Sequence, residues 1–427
     1  MTMETTDRRS GDLGQRLHRI PLAMAGLFAA FAVIAQPDMS LLRGFWQIQI
    51  NETGLITDPM AAGGVGAALL NAALVLLLSD LLIQRMKLPF TGAAFACLFL
   101  MGGFSLLGKN LLNIAPIVAG GFLYSLYKRE SFARYVYLTL YGTCLAPMVS
   151  FLLVRTRPGF RWAAMAACGL VIGFLLPAVA RFTTRIHQGY NLYNVGFAAG
   201  ILGLGIASVL KGFGVEFAAG SGWSKEGHGL LCALVSMLLL GLLGTGIAMG
   251  CRSWQGYKHI LHHSGRAVAD FVVLDGPGPT LVNMALVGSV GFAYLLALYP
   301  LGVRLNGPLV CCILAMTGFG AFGKHPRNVL PVMAGAALAA LLLVAVPITS
   351  PGVLLATLLC TCLAPIAGQF GWGWGIAAGF LHMTIVQNTS ILHGGMNLYN
   401  NGFAAGLVCI LLVPTIKSMS PEPEEDY

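Results

Sequence analysis

Long apolar stretches separated by short polar turns recur along the whole chain. A helix that crosses the bilayer core needs about 20 consecutive apolar residues, and about fourteen segments approach this length. They begin near residues 20, 60, 88, 110, 132, 161, 194, 228, 279, 305, 326, 350, 371 and 396. Several are short or interrupted, as re-entrant half-helices are. The pattern predicts an all-α, polytopic integral membrane protein with about 14 transmembrane or re-entrant helices.

The composition agrees with this prediction and excludes other classes of protein. Of the 427 residues, 57% are hydrophobic and 10% are charged, against about 25% charged residues in soluble domains. The net charge is +9, but the basic residues are scattered over short loops, so no nucleic-acid groove is expected. The ten cysteines lie mostly in apolar runs without a C-x-x-C motif, which favours packing over metal binding. The expected partner is the lipid bilayer, and a homo-oligomer stays open.

Three blocks of sequence occur twice in the same order, which indicates a duplication. They are HQGYNLYNVGFAAG and HGGMNLYNNGFAAG (187–200 and 393–406), GKNLLNIAPIVAG and GKHPRNVLPVMAG (108–120 and 323–335), and TCLAP (143–147 and 361–365). The first pair is identical at eleven of fourteen positions.

Each copy contains seven predicted spans, an odd number, so the second copy would enter the membrane in the opposite direction. Inverted repeats of this kind are found in many secondary transporters. The predicted segments are a cytoplasmic leader (1–19), a first membrane repeat (20–215), a second membrane repeat (216–417) that includes a basic linker (251–270), and an acidic cytoplasmic tail (418–427). We expect the leader and the tail to be disordered.

The basic residues predict the orientation, because lysine and arginine accumulate on the cytoplasmic side. With the N-terminus inside, that side receives Arg8, Arg9, Arg16, Arg19, Arg85, Lys87, Lys128, Arg129, Arg181, Arg185 and the linker 251–266. The main exceptions are Arg155, Arg157, Arg161, Lys211 and Lys225. Both termini are therefore expected in the cytoplasm.

The paired NLYNxGFAAG blocks, together with the GK(N/H)xxN(I/V)xP block, resemble a family of multi-spanning bacterial membrane proteins classified only as a domain of unknown function. The resemblance covers nearly the whole chain. It implies a multi-pass protein of the bacterial inner (plasma) membrane and implies nothing about a substrate.

The doubled H-x-G-x-N-L-Y-N motif is costly as a lipid-facing helix, because unpaired polar groups are expensive in hydrocarbon. Its glycines let the backbone leave the helix and expose carbonyls and amides to a solute or an ion. The predicted substrate-binding residues of the two motifs are His187, Asn191, Tyr193, Asn194, His393, Asn397, Tyr399 and Asn400. For the asparagines, the alternative is that they join helices by hydrogen bonds. For GFAAG, close packing of small residues is the favoured interpretation.

Lys109 and Lys324 form a second doubled pair, each in a turn between two apolar runs. Within the bilayer, such a turn would attract an anion through the ammonium and the following helix N-terminus. At the surface, the lysine would only extend to the lipid headgroups. We include both lysines among the predicted substrate-binding residues, on opposite membrane faces.

Carboxylates are scarce within the predicted spans. Asp80 lies well inside a span, and its counterpart in the second half, near Ala297, is apolar. Asp58 and Asp275 are better matched between the halves and lie near the interface. Cation carriers usually place carboxylates in mid-membrane, so their scarcity favours an anionic or neutral solute.

The histidines raise the possibilities of proton coupling and metal binding. His187 and His393 could titrate near neutral pH, so the coupling ion, sodium or proton, stays open, and no cofactor is expected. His382 has no partner in the first half and is expected to be structural. His259, His262 and His263, with Asp270 nearby, have metal-ligand spacing. An interfacial amphipathic helix is the preferred interpretation of that segment, and no metal site is predicted.

These observations favour a membrane transporter of a small polar solute, bound between two pseudo-symmetric halves at glycine-broken helices. A passive channel for such a solute is the alternative within transport. An intramembrane enzyme with histidine and tyrosine as acid and base is an alternative of another class. The chain has no nucleophile motif or cofactor fingerprint, so we expect it not to be an enzyme.

Overall fold

The computed structural model describes residues 3–217, 222–251, 253–343 and 346–419, with side chains from Gly14 onward, and these residues are predominantly helical. The first half contains α1 (Met3–Ala35), α2 (Ser40–Ile50), α3 (Pro59–Gly63), α4 (Val65–Arg85), α5 (Gly92–Phe104), α6 (Leu111–Lys128), α7 (Val136–Gly142), α8 (Ala146–Arg155), α9 (Arg161–His187) and α10 (Asn194–Gly212). The second half contains α11 (His228–Ala248), α12 (Trp254–Lys258), α13 (Phe271–Leu274), α14 (Pro277–Ala297), α15 (Gly307–Phe319), α16 (Pro326–Leu342), α17 (Pro351–Leu359), α18 (Ala364–Phe370), α19 (Trp372–Thr389) and α20 (Asn400–Met419).

Helices α1 to α10 and α11 to α20 follow one another in the same order, which confirms the predicted duplication. Each half supplies seven membrane elements, because α7 and α8 form one span (residues 136–155) and the short helices α2, α3, α12 and α13 are peripheral. Ten stretches among the described residues are long and apolar enough to cross a membrane. The predicted all-α, polytopic fold of about fourteen membrane elements is confirmed.

Helices α5 and α15 form the centre of the protein. Each has 13 residues, so it extends about 20 Å, less than the bilayer core. They lie antiparallel, since Gly92 at the start of α5 contacts the backbone of Ala321 beyond α15, and Gly307 at the start of α15 contacts Leu106 beyond α5. Equivalent helices that run in opposite directions make the repeat an inverted one, as predicted.

The longer helices pack around this centre through small residues. In the first half, Gly173 of α9 lies against the Ile117 carbonyl of α6 so closely that a Cβ would not fit. In the second half, Gly379 of α19 lies against the Val332 carbonyl of α16 in the same way. Small residues allow such close backbone approach where helices gain little from the hydrophobic effect. The same contact therefore stabilises both halves.

Contacts between loops define two faces of the protein. On the His187 face, Arg266 donates to the Gln188 carbonyl (2.8 Å), and Lys417 donates to the Gln188 side chain (2.7 Å). On the His393 face, Glu52 forms an ion pair with Arg155 (2.8 Å). Also on the His393 face, the Leu55 amide donates to the Gly395 carbonyl (3.0 Å) and the Ser224 amide donates to the carboxylate of Asp58 (2.9 Å).

Three expectations for the peripheral segments differ from the structure. The leader is not disordered at the backbone, because α1 begins at Met3, whereas the acidic tail lies outside the described residues. The linker is not a long amphipathic helix: α12 ends at Lys258, and only one 3-10 turn (Ile260–His262) follows. Insertions between the repeats also misaligned the acidic residues. The counterpart of Asp58 is Asp270 rather than Asp275, since both precede a short helix and then a glycine with positive φ.

Candidate functional site

Each H-x-G-x-N-L-Y-N motif interrupts the chain between two long helices. Hydrogen bonds between its own side chains hold the interruption in place. In the first half, Gln188 and Gly189 have positive φ, and in the second half Gly394 and Gly395 do. His187 Nε2 lies 2.8 Å from Asn194 Oδ1, and His393 Nε2 lies 2.9 Å from Asn400 Oδ1.

Threonine hydroxyls reinforce both breaks. Thr183 donates to Asn194 Oδ1 (2.8 Å), and Thr389 donates to Asn400 Oδ1 (2.9 Å). The predicted histidines and second asparagines are thus close together, but each histidine binds the asparagine of its own motif.

The first asparagine of each motif connects the two halves. Asn191 Nδ2 donates to the Gly402 carbonyl (2.8 Å), and Asn397 Nδ2 donates to the Gly196 carbonyl (3.3 Å). Their Oδ1 atoms accept from the amides two residues later, both at 2.9 Å. Both ends of each amide are therefore used within the protein, which favours the helix-joining alternative for these two residues.

The tyrosine of each motif contacts the lysine of the other half. Lys109 Nζ donates to Tyr399 Oη (2.8 Å), and Lys324 Nζ donates to Tyr193 Oη (2.8 Å). The ammonium groups also lie over the tyrosine rings, 4.7 Å and 4.5 Å from their centroids. Lys324 makes one further bond, to Thr361 Oγ1 of the second TCLAP block (2.8 Å). The four predicted residues form two equivalent Lys–Tyr pairs.

Both lysines are fully buried, so the alternative that they extend to the lipid headgroups does not apply. Among the described residues, neither lysine has a carboxylate at ion-pair distance. Hydroxyl oxygens and ring faces offer only partial negative charge, whereas a buried ammonium is costly without a full counter-charge. Each pair therefore retains the capacity to interact with an anionic group.

Asparagines that sequence reasoning missed hold the two lysine-bearing turns. Asn71 of α4 donates to the Lys109 carbonyl (2.9 Å), and Asn283 of α14 donates to the Lys324 carbonyl (2.7 Å). The available signal was their occurrence at equivalent positions, in LLNAAL and TLVNMAL.

The asparagine that ends each GKxxxN block closes the same turn from the other side. Asn113 Nδ2 donates to the Gly108 carbonyl (3.0 Å), and Asn328 Nδ2 donates to the Gly323 carbonyl (2.9 Å). The repeated block is thus a device that fixes the backbone of the lysine.

A central cavity of about 310 Å³ lies where the halves meet. It is mostly apolar and is lined by residues that include Phe104, Tyr193, Asn194, Phe319, Tyr399 and Asn401, and it extends to Arg134 at the His187 face. Asn401 is buried, and in the described part of the chain its Oδ1 accepts no hydrogen bond. The equivalent residue of the first half, Val195, also lines the cavity. The amide oxygen of Asn401 thus has no equivalent in the first half and makes the cavity asymmetric at this position.

A second cavity, of about 260 Å³, lies on the His393 face and includes Lys109, Thr53, Glu52 and Asp58 in its lining. We call it the vestibule. Lys109 is among the residues that line the vestibule and Tyr399 is among those that line the central cavity, and a hydrogen bond joins their side chains.

Asp270 holds the start of the central helix α5, and its counterpart Asp58 binds backbone amides of α3 and of the loop before α11. Asp270 accepts from the amides of Gly92 and Ala93 (2.8 and 3.2 Å), where negative charge is favoured by the N-terminus of α5. Asp58 accepts from the amides of Met60 and Ser224, both at 2.9 Å. Burial raises the pKa of the Asp58 carboxyl to about 6, against the lowering effect of these two bonds.

The remaining predicted polar residues are used structurally or lie apart from the cavities. His382 is buried, with Nε2 lying 3.2 Å from the Asn401 carbonyl, as expected for a structural histidine. Asp80 lies 2.7 Å from His18 and accepts from Gln84 (2.6 Å). Asp270, which lies near the linker histidines in sequence, accepts a hydrogen bond from the first residue of α5 instead.

Comparisons with known proteins identify one family. The model described as "Protein of unknown function (DUF1576)" matches the chain twice, over residues 38–212 and 250–418. Each match lies within one structural half and begins after the first long helix of that half, α1 or α11. No curated protein and no solved structure matches the chain.

Proposed function

The chain belongs to the DUF1576 family of proteins of unknown function, and from its geometry we propose that it is a membrane transporter of a small polar solute, anionic or neutral. The observation that carries the proposal is the Lys109–Tyr399 pair between the vestibule and the central cavity. Each half supplies one partner of this pair and one partner of its equivalent, Lys324–Tyr193.

The proposed path runs from the His187 face into the central cavity, past Lys109 and Tyr399, and into the vestibule. The pair blocks this path in the present arrangement, because the hydroxyl and the ammonium are 2.8 Å apart. A solute that takes the place of this bond would be held by a buried ammonium and a phenol. Two equivalent barriers in opposite halves are suited to alternating access, in which one barrier opens while the other stays closed.

Two features of the cavity support a solute with a hydrogen-bond donor and without positive charge. The Oδ1 of Asn401 is available as an acceptor, and the described residues that line the central cavity include no carboxylate. In the vestibule, Glu52 is compensated by Arg155, and Asp58 accepts two backbone bonds. A buried cation of the protein would repel a cationic solute.

Flux measurements on reconstituted protein test the proposal. Proteoliposomes are challenged with formate, chloride, urea and acetamide, and volume changes are followed by light scattering. We expect flux of at least one of these solutes, and we expect Lys109→Met and Lys324→Met each to reduce it by at least about tenfold, equivalent to about 1.4 kcal/mol. Lys109→Arg should have a milder effect because it keeps the charge.

Lys128→Met is the matched control, since Lys128 is exposed at the end of α6. Size-exclusion profiles identify variants that fail to fold. Transport of none of the four solutes, or flux that is the same in both buried-lysine variants and the control, would contradict the proposal. Acceleration of uptake by solute on the opposite side distinguishes a transporter from a passive channel through the same path.

A further inference from the structure

Two histidines and one aspartate meet on the His187 face, outside the proposed path. His259 Nδ1 lies 2.5 Å from Asp275 Oδ1, and His263 Nε2 lies 2.9 Å from Asp275 Oδ2. One potential ligand atom from each of the three residues lies within 4.8 Å of the others. The Asp275 side chain is only 2% exposed, whereas that of His259 is 70% exposed. A buried carboxylate thus faces two imidazoles, one of which is open to water.

The fold does not require this cluster. The corresponding positions of the first half, at the same 212-residue offset as Asp58 and Asp270, are Gln47, Asn51 and Gly63, which cannot form a similar group. The two halves nevertheless adopt the same arrangement of helices. The cluster is therefore specific to the second half and points to a property that the first half lacks.

We propose that His259, His263 and Asp275 bind a divalent transition-metal ion such as Zn²⁺. Imidazole nitrogens and a carboxylate oxygen are common zinc ligands at about 2.0 to 2.2 Å, and three protein ligands leave a fourth position for water. Tetrahedral ligands at that distance are separated by about 3.3 Å, so the present contacts need to widen by less than about 1 Å. The exposed ring of His259 is free to make this adjustment.

The site is attached to the segment that covers the Lys324 turn. The carbonyl of His263 lies 2.9 Å from His325 Nε2, next to Lys324. Gly265 packs against the backbone of Gly323, and the Ala267 amide donates to the Gly189 carbonyl (3.1 Å). A metal held by His263 and by Asp275, which lies two residues before the start of α14, would therefore fix residues 264–268 over this turn.

Metal binding is tested on the full-length, tag-free protein after removal of metals with EDTA. Titration with Zn²⁺ should give one ion per chain, and Co²⁺ should give the visible absorption of a low-symmetry site. His259→Ala and His263→Ala should each weaken Zn²⁺ binding by more than about 100-fold, beyond the effect usual for an outer-shell partner.

His262→Ala is the matched control. His262 lies between the two proposed ligands, but its Nδ1 is 3.0 Å from the Lys258 carbonyl and it is outside the cluster. The His262→Ala protein should bind Zn²⁺ with an affinity within about threefold of that of the wild type. Since His259 is exposed, its replacement tests the site without endangering the fold.

Hydrogen exchange tests the effect on the linker without relying on transport. Zn²⁺ should slow amide exchange in residues 264–268 of the wild type and not in His259→Ala. Absence of stoichiometric Zn²⁺ binding, or equal affinity in His259→Ala and the wild type, would overturn the metal site. Stoichiometric binding with unchanged exchange in residues 264–268 would overturn the proposed fixing of the linker.

Discussion

At the scale of single residues, the burial of Lys109 and Lys324 is the feature that most needs a functional reason. A hydrogen bond to a charged group contributes about 1.5 to 3 kcal/mol, and a cation–π contact contributes about 0.5 to 2 kcal/mol. Removing an ammonium from water costs several kcal/mol, so these contacts do little more than offset the cost. Both copies of the duplication keep the lysine, the tyrosine and the asparagine that holds the turn. A function in which a solute contacts the ammonium would explain why this unfavourable burial is present in both halves.

Asp58 gives a residue-scale prediction about pH. Its folded-state pKa of about 6 lies above the ordinary value of 3.8, so the folded protein binds the proton more tightly than the unfolded chain. The contribution of Asp58 to stability should therefore fall as pH rises from about 4 to about 6 and stay constant above that, by up to about 3 kcal/mol.

Replacing Asp58 with asparagine should remove this loss of stability between about pH 4 and pH 6. The Tm difference, Asp58→Asn minus wild type, should become more positive between pH 4.5 and pH 7.5. Asp38→Asn serves as the control, because Asp38 is an exposed carboxylate in a turn and its pKa is lowered by its bonds to Ser40. A Tm difference for Asp58→Asn that does not vary with pH would contradict the raised pKa.

At the scale of elements, the crossing of α10 and α20 joins the two halves. Gly196 and Gly402 approach each other closely, and Phe197 and Phe403 stack with centroids 6.2 Å apart. The GFAAG half of the motif is thus a packing surface, which was the favoured interpretation of its small residues. Asn191 adds a hydrogen bond across this contact from just before α10.

This geometry makes a prediction for Asn191→Ala and Asn397→Ala. Each variant should lose about 0.6 to 2 kcal/mol of stability without ligand, as expected for a lost interhelical hydrogen bond. Solute flux per folded molecule should stay within about threefold of the wild type. Apo Tm values and flux normalised to folded protein provide the measurements.

Asn388→Ala is the control for this element-scale prediction, because Asn388 is exposed on α19 and its amide donates to the Thr384 carbonyl of the same helix. An unchanged apo Tm together with loss of flux would instead favour the substrate-binding role predicted from the sequence for Asn191 and Asn397.

At the scale of the whole molecule, the duplication and the membrane elements could be predicted because both follow from local sequence patterns. Apolar length gives the spans, and collinear blocks give the repeat. The Lys–Tyr pairing could not be predicted, since Lys109 and Tyr399 are 290 residues apart and belong to different halves. Asn71 and Asn283 were missed because each is a single polar residue in an apolar helix. The mismatch of Asp58 with Asp275 arose because the offset between the halves varies along the chain.

The inverted arrangement also predicts which side of the membrane each equivalent residue faces. Arg161 begins α9 and Trp372 begins α19, and both are exposed. Because equivalent helices run in opposite directions, a cysteine at each position should react with a membrane-impermeant thiol reagent from opposite sides. With the N-terminus in the cytoplasm, Arg161→Cys should react in intact cells and Trp372→Cys only in inverted vesicles.

Few native thiols interfere with this labelling experiment. Eight of the ten cysteines are buried. Replacing the two half-buried ones, Cys168 and Cys232, with alanine should therefore leave little labelling of native cysteines. The unmodified background protein is the control for residual labelling. If both introduced cysteines react from the same side, the two halves are parallel, and alternating access by exchange of their roles is ruled out. If each reacts from the side opposite to that expected, the repeat stays inverted and only the orientation assigned from the basic residues is wrong.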